Sequence, residues 1–246
     1  MRVTGPAYVP ARYAIPRLPG AARLIVLPAG TQVAAETRCR FDAQLARVSL
    51  LGPTSRAVTL WVDGPAPIEV ELDAADWSRI THVRADTLTD RIVPAATIGI
   101  ASPALPGDAL GCARVAHALA AQRRHLPGEP GAAVTRGFAA LVGRFDVTDV
   151  GAAAEMLGVS PHLLRRTTLR YFGFAPKLLL VRARFLAALE AFRQSGLRFD
   201  SVLAFGYFDS SHFLRDANRF LGTTPRRYLE RTAALAPGEW DYAAAA

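Results

Sequence analysis

Two stretches decide how this chain is built: Leu157-Gly158-Val159-Ser160-Pro161-His162-Leu163-Leu164-Arg165-Arg166 and Gly206-Tyr207-Phe208-Asp209-Ser210-Ser211-His212-Phe213-Leu214-Arg215. They open two copies of one pattern. At a constant offset of 49 residues, Leu164, Arg166, Arg170, Gly173, Pro176 and Lys177 map onto Phe213, Arg215, Arg219, Gly222, Pro225 and Arg226. A repeat at fixed spacing is the mark of a duplicated supersecondary unit. Each copy follows a short apolar segment closed by glycine: 150–157 before Gly158, and 199–205 before Gly206. Glycine adopts the left-handed conformation that stops a helix without a steric penalty. Ser160 suits an N-cap and Pro161 the first helical position, where an amide has no partner. In the second copy Asp209 or Ser210 fills the cap. Each copy therefore has the parts of a helix-turn-helix.

The second helix of each unit divides by face. Phe213, Ala217, Phe220 and Leu221 recur at the three- and four-residue spacing of a buried stripe, while His212, Arg215 and Arg219 share another face. In the first copy Leu164, Thr168 and Phe172 line one side, with Arg166 and Arg170 on another. A helix entering the major groove needs short polar groups at its N-terminus and arginines for guanine or phosphate. Between the copies, 176–195 reads as one helix of about 20 residues, roughly 30 Å long. That is close to the roughly 34 Å between successive major-groove faces on one side of B-DNA. The last helix begins Thr224-Pro225-Arg226-Arg227, a capped N-terminus with arginines suited to a phosphate.

Outward from the repeat, the first hundred residues alternate short apolar runs with Pro/Gly turns. Segments 23–27, 44–51, 57–62 and 68–72 read as strands, and 74–80 and 108–123 as helices. The run 126–136 has linker composition, 138–232 is helical in pattern, and the residues from 233 read as a flexible tail. The expected architecture is α+β, with a strand-rich N-terminal domain (1–125) carrying flanking helices, a linker (126–136), an all-α domain (137–232) with two helix-turn-helix units joined by a long helix, and a tail (233–246).

Composition narrows the function. The chain has 246 residues and a formal charge of +8, and Lys177 is its sole lysine. An excess of cations favours polyanions, because binding phosphates releases condensed counterions. The excess leans toward the repeat: 144–231 holds 14 Lys and Arg against 8 Asp and Glu, whereas 1–143 holds 15 against 11. Cys39 and Cys112 form neither a disulfide framework nor a metal spacing. The five histidines (His82, His117, His125, His162, His212) are scattered, and neither a Gly-rich phosphate loop nor a Gly-x-Ser-x-Gly elbow occurs. With no signal-like N-terminus and no membrane-length apolar run, a cytoplasmic, non-enzymatic protein without cofactor or metal is expected.

The quoted stretches, together with Phe172-Gly173-Phe174-Ala175-Pro176-Lys177 and Gly222-Thr223-Thr224-Pro225, resemble the DNA-binding domain of the AraC/XylS family of bacterial transcription regulators over about 146–231. Arg23 to Pro28, Leu50 to Pro53 and Leu88 to Pro94 look like pieces of an uncharacterised N-terminal domain found on some AraC-like regulators, with Ala29-Gly30-Thr31 where an acidic residue is expected. The resemblance implies double-stranded DNA as partner, a small-molecule effector or a homodimer contact at the N-terminal domain, and RNA polymerase for an activator. Thr167 and Thr168 stand where the family has a Leu-Phe pair, and Ala217 where it has a core phenylalanine. Losing a buried Phe to Ala costs about 3–5 kcal/mol unless neighbours refill the space, and Phe205 and Phe208 are candidates for refilling it.

The expected DNA-binding residues are Ser160, His162, Leu163, Arg165, Arg166 and Arg170 in the first copy, Ser210, Ser211, His212, Arg215 and Arg219 in the second, and Arg226 and Arg227 beyond it. Arg166 and Arg215, with His162, Leu163, Ser211 and His212, are expected nearest base edges, and Arg226 and Arg227 at the backbone. The alternative reading is a ligand-sensing or interaction protein whose helical domain binds DNA weakly or no longer.

Overall fold

The computed structural model describes residues 13–75, 77–101, 103–121 and 131–235. The strand-rich half contains two four-stranded antiparallel sheets. One runs β1 (Tyr13–Arg17), β6 (Val58–Asp63), β3 (Gln32–Glu36), β4 (Phe41–Asp42); the other runs β7 (Ile68–Leu72), β2 (Ala22–Val26), β5 (Val48–Leu51), β8 (Ile92–Pro94). Residues two apart on a strand share a face, and here the inward sets interdigitate. Ile25, Val33, Ala35, Leu51, Val58, Leu60, Val62 and Ile92 form one buried cluster between the sheets. The outer face of the second sheet is also covered. Ala22, Leu24, Val26, Val48, Leu50 and Leu72 pack under α1 (Trp77–Ile80) and α2 (Ala109–Ala121), together with Tyr171 from the helical half. Burial on both faces explains the apolar run Leu24-Ile25-Val26 of β2.

Several boundaries differ from the sequence expectation. The segment 44–51 is strand only over Val48–Leu51. Leu45 is buried from a loop, its amide donating to the Val33 carbonyl at 2.8 Å, and so imitates a strand's inward residue. Helix 74–80 shrinks to Trp77–Ile80, because the Asp73 carboxylate accepts from the Ala75 amide in a preceding turn. Strands β1, β3, β4 and β8 were not expected. The linker reading (126–136) is corrected at its end, since a helix already begins at Ala132, and the tail reading at its start, since the last helix runs to Leu235; 126–130 and 236–246 lie outside the described residues.

The helical half runs α3 (Ala132–Arg144), α4 (Val150–Met156), α5 (Pro161–Phe172), α6 (Pro176–Gln194), α7 (Ser210–Leu221) and α8 (Pro225–Leu235). Residues Phe199–Phe205 form a 3-10 helix rather than an α-helix, ended by Gly206 at φ +75°. Two cores result. Phe138, Leu141, Ala153, Leu164, Leu179 and Leu180 close the first unit, and Phe185, Leu189, Phe192, Tyr207, Phe213, Phe220 and Tyr228 close the second. The α6 helix contributes to both. No helix among the described residues is long and apolar enough to cross a membrane.

Candidate nucleic-acid interface

The repeat is reproduced cap for cap. In α5 the Ser160 hydroxyl accepts from the Leu163 amide at 3.2 Å, Pro161 opens the helix, and Gly173 ends it at φ +82°. In α7 Asp209, which stands 49 positions on, accepts from the His212 amide at 2.7 Å, and Gly222 ends the helix at φ +76°. Both helices have 12 residues, and each is followed by a helix opening on proline, Pro176 or Pro225. Ser210, the other candidate cap, is instead the first residue of α7.

The buried stripes are Leu164, Thr167, Thr168 and Tyr171 in α5, and Phe213, Asp216, Ala217, Phe220 and Leu221 in α7. Opposite them, His162, Arg165, Arg166 and Arg170 are exposed on α5, with Leu163 half-buried. On α7, Ser210, Ser211, Arg215 and Arg219 are exposed, as are Leu214 and Asn218, which the sequence reading did not single out. Residues 211, 215 and 218 fall on one face by helical spacing. Arg226 and Arg227 are exposed at the start of α8, where the Thr224 hydroxyl accepts from the Arg227 amide at 3.3 Å.

Two of the expected contact residues also meet other parts of the protein. Arg170 lines a shallow cleft with Trp77, Thr81, His82, Val83 and Arg84, at the junction with the strand-rich half. His212 is half-buried, its ring 4.7 Å from that of Tyr207 and its Nε2 3.4 Å from an Arg184 guanidinium nitrogen. His212 thereby borders a network that joins Tyr207, Arg184 and Asp216. The Tyr207 hydroxyl donates to Asp216 at 2.8 Å, Arg184 donates to the same carboxylate oxygen at 3.4 Å, and its guanidinium lies 4.9 Å over the Tyr207 ring. Burial, then the Asp216 charge, push the Tyr207 phenol above its ordinary pKa, so it keeps its proton and stays a donor. The network ties α6 to α7. Its sequence signal was the pair Tyr207 and Asp216, nine apart across a helix start and visible only once both are known to face inward.

Two short helices joined by a glycine turn, present twice with matched caps and exposed arginines on the second helix of each, define a paired helix-turn-helix domain. Residues 153–231 match the family described as Helix-turn-helix domain, a helix-turn-helix of the AraC type. Among solved structures, unsaturated fatty acid bound wild-type ToxT from Vibrio cholerae strain SCE256 is similar across 97% of this chain and 100% of its own, at 12% identity and a TM-score of 0.50. ToxT in a second crystal form (P21) covers 89% of this chain and 96% of its own, at 10% identity and a TM-score of 0.47. ToxT from Vibrio cholerae O395 covers 89% and 92%, at 13% identity and 0.46. The first of these likenesses establishes a shared fold, a strand-rich N-terminal region followed by a helical C-terminal one. No curated protein matches the chain in sequence.

Proposed function

We propose that the chain is a sequence-specific transcription regulator of the AraC/XylS type, reading two successive major grooves with α5 and α7. The observation that supports this most is the cap-for-cap equivalence of the two helices, which leaves Arg166 and Arg215 exposed at the same repeat position. The connecting α6 has 19 residues, which gives roughly 28 Å, a strut of the size needed to set both helices on one DNA face. Arg166 and Arg215, with His162, Leu163, Ser211 and His212, stand nearest base edges in this reading. Ser160, Arg165, Arg170, Ser210, Arg219, Arg226 and Arg227 position the backbone.

In this reading 137–232 is the DNA-binding unit and 1–125 the sensing or dimerisation unit, with a small-molecule effector, a second copy of the chain and RNA polymerase as further partners. The alternative, an interaction protein that has lost DNA binding, is motivated by Thr168 and Ala217. Both are fully buried, and Ala217 lies within the second helical cluster, which supports an intact helical domain. The test is a fluorescence-anisotropy titration of Arg215→Ala on selected and scrambled duplexes. A bidentate guanine contact predicts a loss of about 1–3 kcal/mol confined to the selected sequence. An equal loss on every duplex would demote Arg215 to a phosphate contact.

A further inference from the structure

We propose that the loop 52–57 of the strand-rich half is a two-headed grip that fixes the relative placement of both recognition helices and thereby sets the half-site spacing the chain reads. The proposal rests on the reading of α5 and α7 as DNA-reading helices. The loop touches the two repeat copies at equivalent points. At the end of α5, Gly173 leaves no room for a side chain: a Cβ there would lie 3.1 Å from Pro53 Cγ, 2.8 Å from Thr89 Cγ2 and 3.2 Å from the Ala85 carbonyl oxygen. At the end of α7, a Cβ on the matching Gly222 would lie 3.7 Å from Arg56 Cδ. There the loop also supplies hydrogen bonds. The Ala57 amide donates to the Phe220 carbonyl at 2.7 Å, and Arg56 Nε donates to the Arg219 carbonyl at 3.2 Å. These are last-turn carbonyls, which a helix leaves without internal partners.

A third contact falls between the heads. Arg182, on α6, donates to the carbonyls of Thr54 at 2.9 Å and Gly20 at 3.4 Å. Its desolvation pulls the guanidinium down to about 10, while the charges of Glu71 and Asp90 oppose that fall. It remains a cation near neutral pH. The loop itself is braced from behind. Asp90, buried and at φ +56°, accepts from the Ser55 amide at 2.7 Å and the Ser55 hydroxyl at 2.6 Å. Its own amide donates to the Pro53 carbonyl at 2.9 Å, and the Gly52 amide donates to the Arg91 carbonyl at 2.9 Å. Gly52 is required, because a Cβ there would meet the Leu88 carbonyl oxygen at 1.9 Å. A stiff loop that holds both helix ends and the middle of their strut leaves the two heads little freedom to move apart. The runs Leu50 to Pro53 and Leu88 to Pro94 thus meet at this loop and build it.

The experiment uses the full chain, the variants Arg182→Met and Arg56→Ala, and their combination. Duplexes carry two selected half-sites with the separation changed by one or two base pairs, and binding is read by anisotropy beside calorimetric melting. Two base pairs rotate a half-site by about 70° on a 10–10.5 base-pair turn. The wild type should lose at least tenfold in affinity at that displacement, and the double variant threefold or less, with half-site sequence preference unchanged. A double variant whose halves melt separately yet keeps the wild-type spacing profile overturns the proposal. Failure of the wild type to prefer any duplex sequence would sink the DNA reading instead. The grip is then judged by melting alone: split transitions in the double variant uphold it and an unchanged single transition overturns it.

Discussion

Ala217 has no exposed surface, yet it occupies a position where a buried aromatic was expected. Of the two candidates for refilling the space, Phe208 is 89% exposed and does not contribute, whereas Phe205 packs at the edge of the cluster. The same cluster includes Phe185 of α6. Phe185 has no exposed surface, stacks on Phe220 at 5.3 Å between centroids and lies 5.7 Å from Phe213. Restoring bulk is therefore the wrong repair. Ala217→Phe should destabilise the protein by about 1–3 kcal/mol through overpacking, and Phe185→Ala by about 3–5 kcal/mol through the cavity it leaves. Denaturant midpoints measure both, and a stabilising Ala217→Phe would reveal a void that the packing does not show. Tyr207→Phe removes a hydrogen bond from the buried Asp216 carboxylate and should cost about 1–3 kcal/mol. Circular dichroism melts would check it, and an unchanged midpoint would mean that Arg184 alone satisfies Asp216.

Among the elements, legibility followed how much of the signal was local. The helices of the repeat were readable because caps, closing glycines and the three-four stripe lie within a dozen residues of one another. Ser160→Ala should cost about 1 kcal/mol as a lost N-cap, visible as a lower unfolding midpoint. Strand β3, by contrast, alternates exposed and buried residues as Gln32, Val33, Ala34, Ala35 and Glu36, but alanine has a weak strand preference and blurred the period. Strands β1 and β8 carry Pro16 and Pro94, and each lies at the edge of its sheet, where a missing donor is tolerated. Among the site residues, exposure of the arginines was readable from helical spacing. The neighbours of Arg170 and His212 on other elements were not, because they lie far along the chain. At the start of α8, Arg226→Ala and Arg227→Ala should each lower the slope of log affinity against log salt by about 0.9 without changing sequence preference. A change of preference would place that side chain on a base.

For the whole molecule, the strand-rich and helical halves are joined by packing as well as by hydrogen bonds. Tyr171 and Phe172 of α5 enter the cluster on the outer face of the second sheet, and Leu18 and Ala57 enter the cluster under α7. Packing therefore links the sheets directly to α5 and to the cluster under α7. The net charge of +8 supplies a general attraction to phosphate, but the placement of the arginines on two matched helices is what would turn attraction into reading. The central claim is that both helices read sequence. The most direct measurement is binding of the full chain, across a salt series, to duplexes recovered by selection from a random pool and to scrambled controls. The account predicts affinity that falls steeply with salt on every duplex, with the selected sequences tighter by about a thousandfold or more and containing two half-sites about one helical turn apart. Selected and scrambled duplexes binding alike at every salt concentration would contradict it.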